Sequence, residues 1–520
     1  MELDLSKLRE EINETDREII ELFRKRMQIA ASIAEYKKTN GLPVLDAERE
    51  RALLEKISKQ AGEELGDYAR TLYVTMMEVS KAYQQAMLDA DKEISANTEN
   101  TSHAAIGYKD FKCGLIGRTL AHSFSPVIHR ELADYSYKLF EMEENEVEAF
   151  LKSDVFDAIN VTIPYKKTVM PYLDEISDEA MRIGSVNTIT RTENGGLRGD
   201  NTDYYGFWHT VLKGGIEIKD KNVLILGTGG ASLTARTVAH DMGARSIRFV
   251  SRAGEINYEN VYSLCSDAQV VINCTPVGMY PHNGVSPIDL ERLPECLGVI
   301  DMIYNPARTQ LLLDAERLGI RHINGLTMLV AQAKKACELF LGNEIEESKI
   351  DRITSLIASE TGNIVLVGMP GCGKTTVGSA LAAMTGRKLT DTDCMIAQSC
   401  SRSPSEIITE EGEEAFRKIE HRQVMLAGKM SGMIISTGGG VVTRDENYAP
   451  LHQNGIIVYI KRDLSKLDTS SRPLSQKNKL EDMLRVREPK YMRFCDFCVT
   501  NDDTPESCAS EILKKLGKEY

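Results

Sequence analysis

Hydrophobic positions recur at helical spacing through the first 90 residues of the chain. Most steps between them are three or four residues, along Leu5, Leu8, Ile12, Ile19, Leu22, Ile29, Ile33 and Tyr36, and the sequence Gly41-Leu42-Pro43 ends the run. The pattern resumes near Asp46, breaks around Gly62–Gly66 and continues to about Ala90. A helix longer than about thirty residues has little of this small unit to pack against, so the pattern predicts an all-helical domain over 1–90 that dimerises through long intertwined helices.

The remaining pattern alternates between strands and helices. Residues 91–110 are polar and lack periodicity, which predicts a linker. From Phe111 onwards, short runs rich in β-formers (CGLIG, AINVTI, NVLILG and VVINCT) alternate with helical segments, which is typical of an α/β domain with parallel sheets over 111–345. A charged helical stretch at 346–361 is predicted as a second linker, and the run IVLVG opens another α/β domain over 362–520.

Composition narrows the functional classes. A chain of 520 residues is too long for one hydrophobic core and is expected to form roughly three or four domains. Its net charge of −14 argues against a nucleic-acid or anionic membrane surface, and no stretch approaches the ~18 apolar residues of a membrane span. The amino-terminal MELDLSKLRE has no apolar core like that of a signal peptide, and the eleven cysteines favour reduced thiols. We therefore expect a soluble cytoplasmic protein that binds neither nucleic acid nor a membrane.

The strongest motif lies in the last third of the chain. Gly368-Met-Pro-Gly-Cys-Gly-Lys374-Thr375 fits G-x-x-x-x-G-K-[ST] between the strand IVLV and a helical pattern, and in that context a chance glycine turn is the weaker interpretation. Such a loop wraps its backbone N–H groups around nucleotide phosphates, while its lysine reaches the outer phosphates and its hydroxyl binds magnesium. The motif predicts an ATP site at Gly371, Cys372, Gly373, Lys374, Thr375 and Thr376.

The blocks after this loop resemble shikimate kinase over nearly all of 363–520. They are Asp391-Thr-Asp393, Phe416-Arg417, Gly438-Gly439-Gly440, Arg472-Pro-Leu and Arg487 in REPKY. The resemblance implies that shikimate is held by Asp393, Arg417, Gly439 and Arg487, with Asp393 as the catalytic carboxylate. It further implies that Asp391 joins Thr375 at magnesium and that Arg472 lies in a lid over ATP. The chain departs from the family in having RPLS where RPLL is usual.

The middle third contains a glycine-rich turn after an apolar strand. The run VLILGTGGAS predicts a dinucleotide site at Gly227, Gly229, Gly230, Ala231 and Ser232, although an ordinary strand–helix turn would also fit this motif alone. About twenty residues on, the next strand ends at Ser251-Arg252, where an NAD enzyme carries an acidic residue. The positive charge of Arg252 favours NADP over NAD.

Several blocks over 111–345 resemble shikimate dehydrogenase. They are Ser123-Phe-Ser125, Asn160-Val-Thr-Ile-Pro-Tyr-Lys166, Asn187, Asn201-Thr-Asp203, Asn273-Cys-Thr-Pro-Val-Gly278-Met, Asp301-Met-Ile-Tyr304 and Met328-Leu-Val-Ala-Gln332. The resemblance implies a substrate part at about 111–215 and 325–345 around a Rossmann part at about 220–323. It makes Lys166 and Asp203 the catalytic pair, with the substrate also bound by Ser123, Ser125, Thr162, Asn187, Tyr304 and Gln332. It further implies that Thr275 and Gly325 join Ser251 in binding NADP(H). The family often has Asn-Arg-Thr where this chain has Ser251-Arg252-Ala253.

In the first third of the chain, helical geometry alone does not distinguish a ligand-binding site from charged side chains on a solvated helix face. Arg26 and Lys37 fall within about 20° on one helix face, while Arg9 lies about 100° around from Arg26. However, LREEI, PVLDAERER and SKAYQQ resemble the all-helical chorismate mutase across 3–90. That resemblance implies that Arg26 and Arg49, with Arg9 from the partner subunit of a homodimer, bind the two carboxylates. It places Lys37 and Gln84 at the ether oxygen as catalytic residues, and Asp46, Glu50 and Ser80 at the hydroxyl end, with no cofactor.

The combined interpretation is a trifunctional enzyme of aromatic amino-acid synthesis with substrates chorismate, 3-dehydroshikimate and shikimate. Two alternatives stay open on the sequence. The first segment could be a dimerising or ligand-sensing module without catalysis, attached to a bifunctional dehydrogenase–kinase. Alternatively, the domains could have the folds of these families but act on other substrates, such as quinate for the dehydrogenase or another small polyol for the kinase.

Overall fold

The computed structural model describes residues 111–120, 123–467 and 477–519, together with single positions between 12 and 80. The chain divides into two compact units, 1–106 and 107–520. Every described position of the first unit lies in a helix, in agreement with the predicted all-helical domain. Among the described residues, each helix is too short or too polar to cross a membrane.

The second unit begins with a six-stranded sheet in the order β2-β1-β3-β5-β6-β4. Its strands are β1 (Lys112–Gly117), β2 (Ser136–Glu141), β3 (Ala158–Val161), β4 (Glu175–Ile176), β5 (Thr188–Arg191) and β6 (Leu197–Asp200). Its helices are α1 (Ser125–Leu132), α2 (Val147–Leu151), α3 (Asp178–Ile183) and α4 (Asp203–Lys213). Strands β2, β1 and β3 run parallel and β5 runs antiparallel to both neighbours, so polar side chains at the end of β3 and at the start of β5 lie side by side.

The next sheet is parallel throughout, in the order β11-β10-β9-β7-β8. It contains β7 (Asn222–Leu226), β8 (Ser246–Val250), β9 (Val270–Asn273), β10 (Gly298–Asp301) and β11 (Arg321–Ile323). Its helices are α5 (Gly230–Asp241), α6 (Val261–Leu264), α7 (Gln310–Arg317) and α8 (Leu326–Leu341). Helix α8 returns to pack on α4, where a Cβ on Gly206 would lie 2.8 Å from the Met328 carbonyl oxygen. Glycine therefore lets the two helices approach closely.

The segment predicted as a linker at 346–361 is instead a packed helix, α9 (Ser348–Thr361). Its Ile350, Ile353 and Ile357 share one buried core with apolar residues of α1 and α8. The charged residues that suggested a connection lie on the other faces, and Lys349 Nζ donates to the Leu132 carbonyl at 2.9 Å. Isoleucines spaced three and four residues apart thus pack this helix against α1 and α8.

The last sheet is also parallel, in the order β13-β14-β12-β15-β16. Its strands are β12 (Asn363–Val367), β13 (Leu389–Asp391), β14 (Ile434–Ser436), β15 (Gly455–Lys461) and β16 (Phe497–Thr500). Its helices are α10 (Lys374–Thr385), α11 (Thr392–Cys400), α12 (Pro404–Glu411), α13 (Glu413–Gly428), α14 (Tyr448–His452), α15 (Lys477–Phe494) and α16 (Pro505–Glu519). The β12 strand is buried along its whole length, as expected for the centre of a parallel sheet.

The second and third sheets belong to domains that meet at the amino-terminal edge of the third sheet. Arg308 donates its backbone N–H to the Gln453 carbonyl at 2.8 Å and its Nη1 to the His452 carbonyl at 3.1 Å, just before β15 begins. Tyr280 donates to the Gly428 carbonyl at 2.8 Å on the same side. The loops that follow the carboxyl ends of β12, β13 and β14 lie at the opposite edge.

Candidate active sites

A cavity of about 390 Å³ opens between the first sheet and helix α8. It is lined by every residue predicted to bind the dehydrogenase substrate, namely Ser123, Ser125, Thr162, Lys166, Asn187, Asp203, Tyr304 and Gln332. These side chains come from distant parts of the chain, and the sheet and the returning helix bring them to one place. Their individual roles stay predictions.

An ion pair lies in this cavity between Lys166 and Asp203. The Lys166 Nζ atom is 2.6 Å from Asp203 Oδ2, and Asn187 Nδ2 donates to the other carboxylate oxygen at 3.0 Å. Asp203 is the first residue of α4, where the helix dipole stabilises its negative charge. Both side chains keep some exposure, so a bound ketone could contact the ammonium group.

A buried network fixes the position of Asn187. Its Oδ1 accepts from the backbone N–H of Thr202 at 2.8 Å, and its carbonyl accepts from Asn160 Nδ2 at 3.3 Å. Tyr137 in turn donates to Asn160 Oδ1 at 2.8 Å. Asn160 lines the cavity as well. It stands in one of the blocks quoted above, but an asparagine by itself is more often a turn or cap residue, so no role was predicted for it.

Apolar side chains that were given no role in the sequence analysis also line the cavity. Met302 follows β10, while Met328 and Leu329 lie in the first turns of α8. Residues of this type in strands and helices normally indicate core, so sequence patterns offer no signal for them. They give the cavity an apolar wall opposite the polar groups.

The glycine turn after β7 has the geometry of a dinucleotide-binding loop. Gly227 has a φ of 97°, and a Cβ on Gly229 or Gly230 would meet nothing within 4 Å. Gly229, Gly230 and Ala231 are exposed at the amino terminus of α5, where free N–H groups attract phosphate. Ser232 differs from the prediction, because it is fully buried and its hydroxyl donates to the Gly229 carbonyl at 2.6 Å.

The other residues predicted to bind NADP(H) surround this turn. The Gly227 N–H donates to the Val250 carbonyl at 2.8 Å, which places the end of β8, with half-buried Ser251 and exposed Arg252, beside the loop. Thr275 follows the adjacent strand β9, and its hydroxyl donates to Asn273 Oδ1 at 2.7 Å. Gly325, also predicted to bind NADP(H), instead lines the cavity that holds Lys166.

In the last domain, three glycines shape the loop between β12 and α10. Gly368, Gly371 and Gly373 have φ values of 152°, 81° and 92°, which other residues rarely adopt. The buried Lys374 ammonium donates to the Gly368 carbonyl at 2.9 Å and to the Met369 carbonyl at 3.0 Å, while Cys372 is buried. Thr375 and Thr376 are exposed at the start of α10. The loop and the helix terminus thus present their N–H groups together.

The residues predicted to hold magnesium lie next to each other. Thr375 Oγ1 donates to Asp391 Oδ2 at 2.8 Å, and Asp391 Oδ1 accepts from the Asp393 N–H at 2.9 Å. Magnesium commonly binds through one or two protein oxygens together with substrate phosphates and water. A hydroxyl and a carboxylate beside a phosphate loop fit that requirement.

Side chains predicted to bind the kinase substrate surround the glycine run at 438–440. Arg487 Nη1 donates to the Gly439 carbonyl at 3.1 Å. A Cβ on Gly438 would lie 2.8 Å from Asp393 Oδ1, and a Cβ on Gly440 would overlap the Arg417 guanidinium. The loop therefore needs glycine to admit these charged groups. Arg472 lies outside the described residues.

One residue of this cluster was missed by the sequence analysis. Glu420 is fully buried, its Oε2 lies 2.7 Å from Arg417 Nη1, and a Cβ on Gly438 would lie 2.7 Å from its Oε1. Burial raises the pKa of Glu420, while the Arg417 charge opposes that rise. Their spacing of three residues on one helix indicated that Arg417 and Glu420 could pair, but it did not indicate that Glu420 is buried.

In the first unit, the structure brings two of the predicted residues together. Arg26 Nη1 donates to the Ser80 hydroxyl and, at 3.3 Å, to the Met76 carbonyl. Ser80 is buried and donates to the same carbonyl at 2.7 Å. The other predicted positions, Arg9, Lys37, Asp46, Arg49, Glu50 and Gln84, lie outside the described residues.

A Rossmann-type sheet that faces a Lys–Asp cavity, followed by a phosphate loop on a parallel sheet, defines a dehydrogenase joined to a P-loop kinase. Family models for chorismate mutase type II, the shikimate dehydrogenase substrate binding domain and shikimate kinase match residues 8–85, 115–189 and 370–517. A shikimate dehydrogenase (NADP(+)) from Clostridium beijerinckii is 37% identical over 267 residues, 48% of this chain and 98% of that protein. One from Alkaliphilus oremlandii is 40% identical over 262 residues, 44% of this chain and 90% of that protein.

Among solved structures, a chorismate mutase/shikimate 5-dehydrogenase fusion protein from Clostridium acetobutylicum is 37% identical, with a TM-score of 0.45. That match covers 47% of this chain and 95% of the other. The chain belongs to the shikimate dehydrogenase family, with a chorismate mutase region before the dehydrogenase and a shikimate kinase region after it. It is a trifunctional enzyme of the shikimate pathway, as the sequence predicted.

Proposed function

We propose that Lys166 and Asp203 carry out proton transfer in the reduction of 3-dehydroshikimate to shikimate. Their 2.6 Å ion pair in the substrate cavity is the observation that carries this assignment. NADPH, when bound, supplies the hydride to the carbonyl carbon. Lys166 then gives a proton to the carbonyl oxygen, and Asp203 holds the ammonium group in place and stabilises its charge.

The preference for NADP(H) rests on the residues beside the glycine turn. Ser251 and Arg252 occupy the end of β8, where an acidic residue would bind the ribose hydroxyls of NAD. The exposed guanidinium of Arg252 suits the extra phosphate of NADP, and the relatives described above are named as NADP(+) enzymes. Titration of NADPH and NADH by cofactor fluorescence tests this proposal, and equal or tighter binding of NADH would refute it.

For the kinase reaction, we propose that Asp393 accepts the proton of the shikimate hydroxyl while Arg417 and Arg487 bind the carboxylate. The support is their arrangement around residues 438–440. Thr375 and Asp391 would hold magnesium together with the ATP phosphates. The positive metal ion would offset the negative charge on the phosphate oxygens during phosphoryl transfer. Arg472 would cover the nucleotide from a lid. Assays of the purified chain with shikimate, quinate and other polyols test the acceptor.

For the mutase reaction, we propose that the region matched at 8–85 converts chorismate to prephenate as a homodimer. The contact between Arg26 and Ser80 supports a polar pocket inside the helical unit. Such a rearrangement needs only a held conformer and positive charge near the breaking C–O bond. Chorismate turnover together with the mass in solution tests both points, and a chain without turnover that still dimerises would favour the sensing module.

We place the domain limits at about 1–90 for the mutase, 111–361 for the dehydrogenase with α9 included, and 362–520 for the kinase. The shared core of α9 with α1 and α8 supports the extended dehydrogenase. A cytoplasmic location is part of the same proposal. It is supported by the eleven cysteines, all of which are free thiols.

A further inference from the structure

A guanidinium group without a counter-charge lies at the carboxyl-terminal edge of the kinase sheet. Arg462 directly follows β15, is half-buried, and has a buried Nε atom without a hydrogen-bond partner. Within the described part of the chain, its side chain makes no hydrogen bond or ion pair. Most buried polar groups in folded proteins are paired, because an unpaired one loses its hydration without replacement. A buried, unpaired donor on a permanent cation indicates that an anion binds there.

The position of Arg462 identifies the anion. Its Nη1 lies 3.4 Å from the place that a Cβ on Gly373 would occupy, so the guanidinium lies against the phosphate loop. Strand β15 pairs with β12, the strand that leads into this loop. Gly373 is the residue before α10, and the N–H groups of that helix terminus attract phosphate. The guanidinium and the helix terminus therefore act on the same region.

The neighbouring charges are already paired, so they do not explain Arg462. Asp463 accepts from the N–H and hydroxyl of Ser465 at 2.8 and 2.6 Å. Asp502 accepts from the Asp463 N–H at 3.0 Å, and Lys466 donates to the Asp502 carbonyl at 3.0 Å. Both carboxylates thus accept hydrogen bonds from donors other than Arg462.

We propose that Arg462 binds the phosphate chain of the nucleotide, as a second cation beside Lys374. This role rests on the kinase function described above. A guanidinium offers several N–H donors in a planar fork, which suits phosphate oxygens better than a single ammonium. Arg462 is therefore a nucleotide-binding residue of the kinase site that lies outside the G-x-x-x-x-G-K-T motif.

The test compares Arg462→Gln with the wild-type full chain by calorimetric titration. The probes are ATP, inorganic tripolyphosphate and adenosine, each with magnesium. A lost charge-assisted contact is expected to weaken ATP and tripolyphosphate binding about 10- to 100-fold, while adenosine binding stays the same. The affinity of Arg462→Lys for ATP and tripolyphosphate is expected to lie between those of the wild type and Arg462→Gln. The matched control is Lys466→Gln. This change also removes a cation from the loop, but the Lys466 ammonium already donates to a carbonyl.

Two results would overturn the proposal. One is an unchanged affinity for tripolyphosphate with weaker ATP binding, because the guanidinium would then contact the base. The other is a lower unfolding temperature of Arg462→Gln with unchanged binding, because the residue would then be structural. If the wild-type chain binds no ATP at all, the kinase assignment itself fails, and that outcome is distinct from both.

Discussion

Lys166 and Asp203 are 37 positions apart in the chain, yet their side-chain Nζ and Oδ2 atoms lie 2.6 Å apart. The loop after β3 carries the lysine and the first residue of α4 is the aspartate, so the pair depends on the order of strands in the first sheet. Asn187, directly before β5, holds the second carboxylate oxygen. The geometry of the acid–base pair is therefore a property of the whole domain rather than of either local motif.

Replacement of Asp203 by asparagine is expected to lower dehydrogenase kcat by about 10²- to 10⁴-fold, because the ammonium loses its counter-charge while its hydrogen-bonding neighbours remain. The KM for NADPH is expected to change little. Steady-state oxidation of NADPH measures both. The kinase rate of the same protein is the internal control, and a dehydrogenase kcat within twofold of wild type would contradict the assigned role.

Replacement of Gly440 by alanine is expected to impair the kinase through its acceptor. The added Cβ would overlap the Arg417 guanidinium, which must then move away from the bound carboxylate. We expect the KM for shikimate to rise about 10- to 100-fold, with ATP affinity nearly unchanged, because one charge-assisted contact is lost. Gly517→Ala is the matched control, since a Cβ there meets nothing within 4 Å. Equal KM values for the two variants would refute the arrangement.

The contact between the dehydrogenase and the kinase is expected to depend on pH through His452. This buried ring has Nε2 3.5 Å from Glu316 Oε2 on the dehydrogenase and Nδ1 3.6 Å from Asp496 Oδ2 on the kinase. Burial disfavours the charged ring, but the two carboxylates outweigh it and raise the pKa of His452. Arg308 opposes that rise, and the Tyr448 ring stacks on the imidazole at 4.8 Å. The pKa of Glu316 is lowered, chiefly by its contact with His452.

The signs of these two shifts define a pH window. Stability from the raised pKa of His452 is complete below the ordinary histidine value of 6.5 and is lost as pH rises through the higher folded value. Stability from Glu316 is present above its ordinary value of 4.5 and is lost as pH falls through the lower folded value. Wild type should therefore exceed His452→Gln in unfolding free energy most clearly between pH 4.5 and 6.5. Urea unfolding across this range measures the difference, and a constant gap at all pH values would exclude the ion pair.

Shikimate made by the dehydrogenase is expected to enter bulk solvent before it is phosphorylated. The dehydrogenase docks where the strands of the kinase sheet begin, whereas the kinase site follows their carboxyl ends, about 17 Å away across the five residues of β12. Isotope dilution tests this expectation. Labelled 3-dehydroshikimate with excess unlabelled shikimate should give fully diluted shikimate 3-phosphate. Retention of label above the dilution limit would show direct transfer.

Contiguous motifs were the most predictable part of the sites. The phosphate loop at 368–375 and the glycine turn after β7 were expected where they occur, because their function depends on successive backbone N–H groups. Two residues that act only through tertiary placement were not identified. Glu420 and Arg462 are charged residues on a helix and in a loop, and only the fold shows one buried beside Arg417 and the other beside Gly373.

The same limit explains the linker prediction at 346–361. A segment with many charges resembles a solvated connection. Its isoleucines are identified as core residues only once the fold shows that α1 and α8 cover them. Ser232 gives a second example. Its place in the glycine turn suggests a phosphate contact, but the hydroxyl turns back to the Gly229 carbonyl. Local sequence therefore indicates which chemistry is available, and packing decides which groups can use it.

The docking of Arg308 on the residues before β15 leaves the phosphate loop, at the other edge of the kinase sheet, away from the shared surface. The kinase can therefore exchange its nucleotide without hindrance from the dehydrogenase. What the covalent connection guarantees is equal dosage, since every translated chain contributes one reductase and one phosphotransferase. A cell with this protein would adjust the two consecutive steps together through a single expression level.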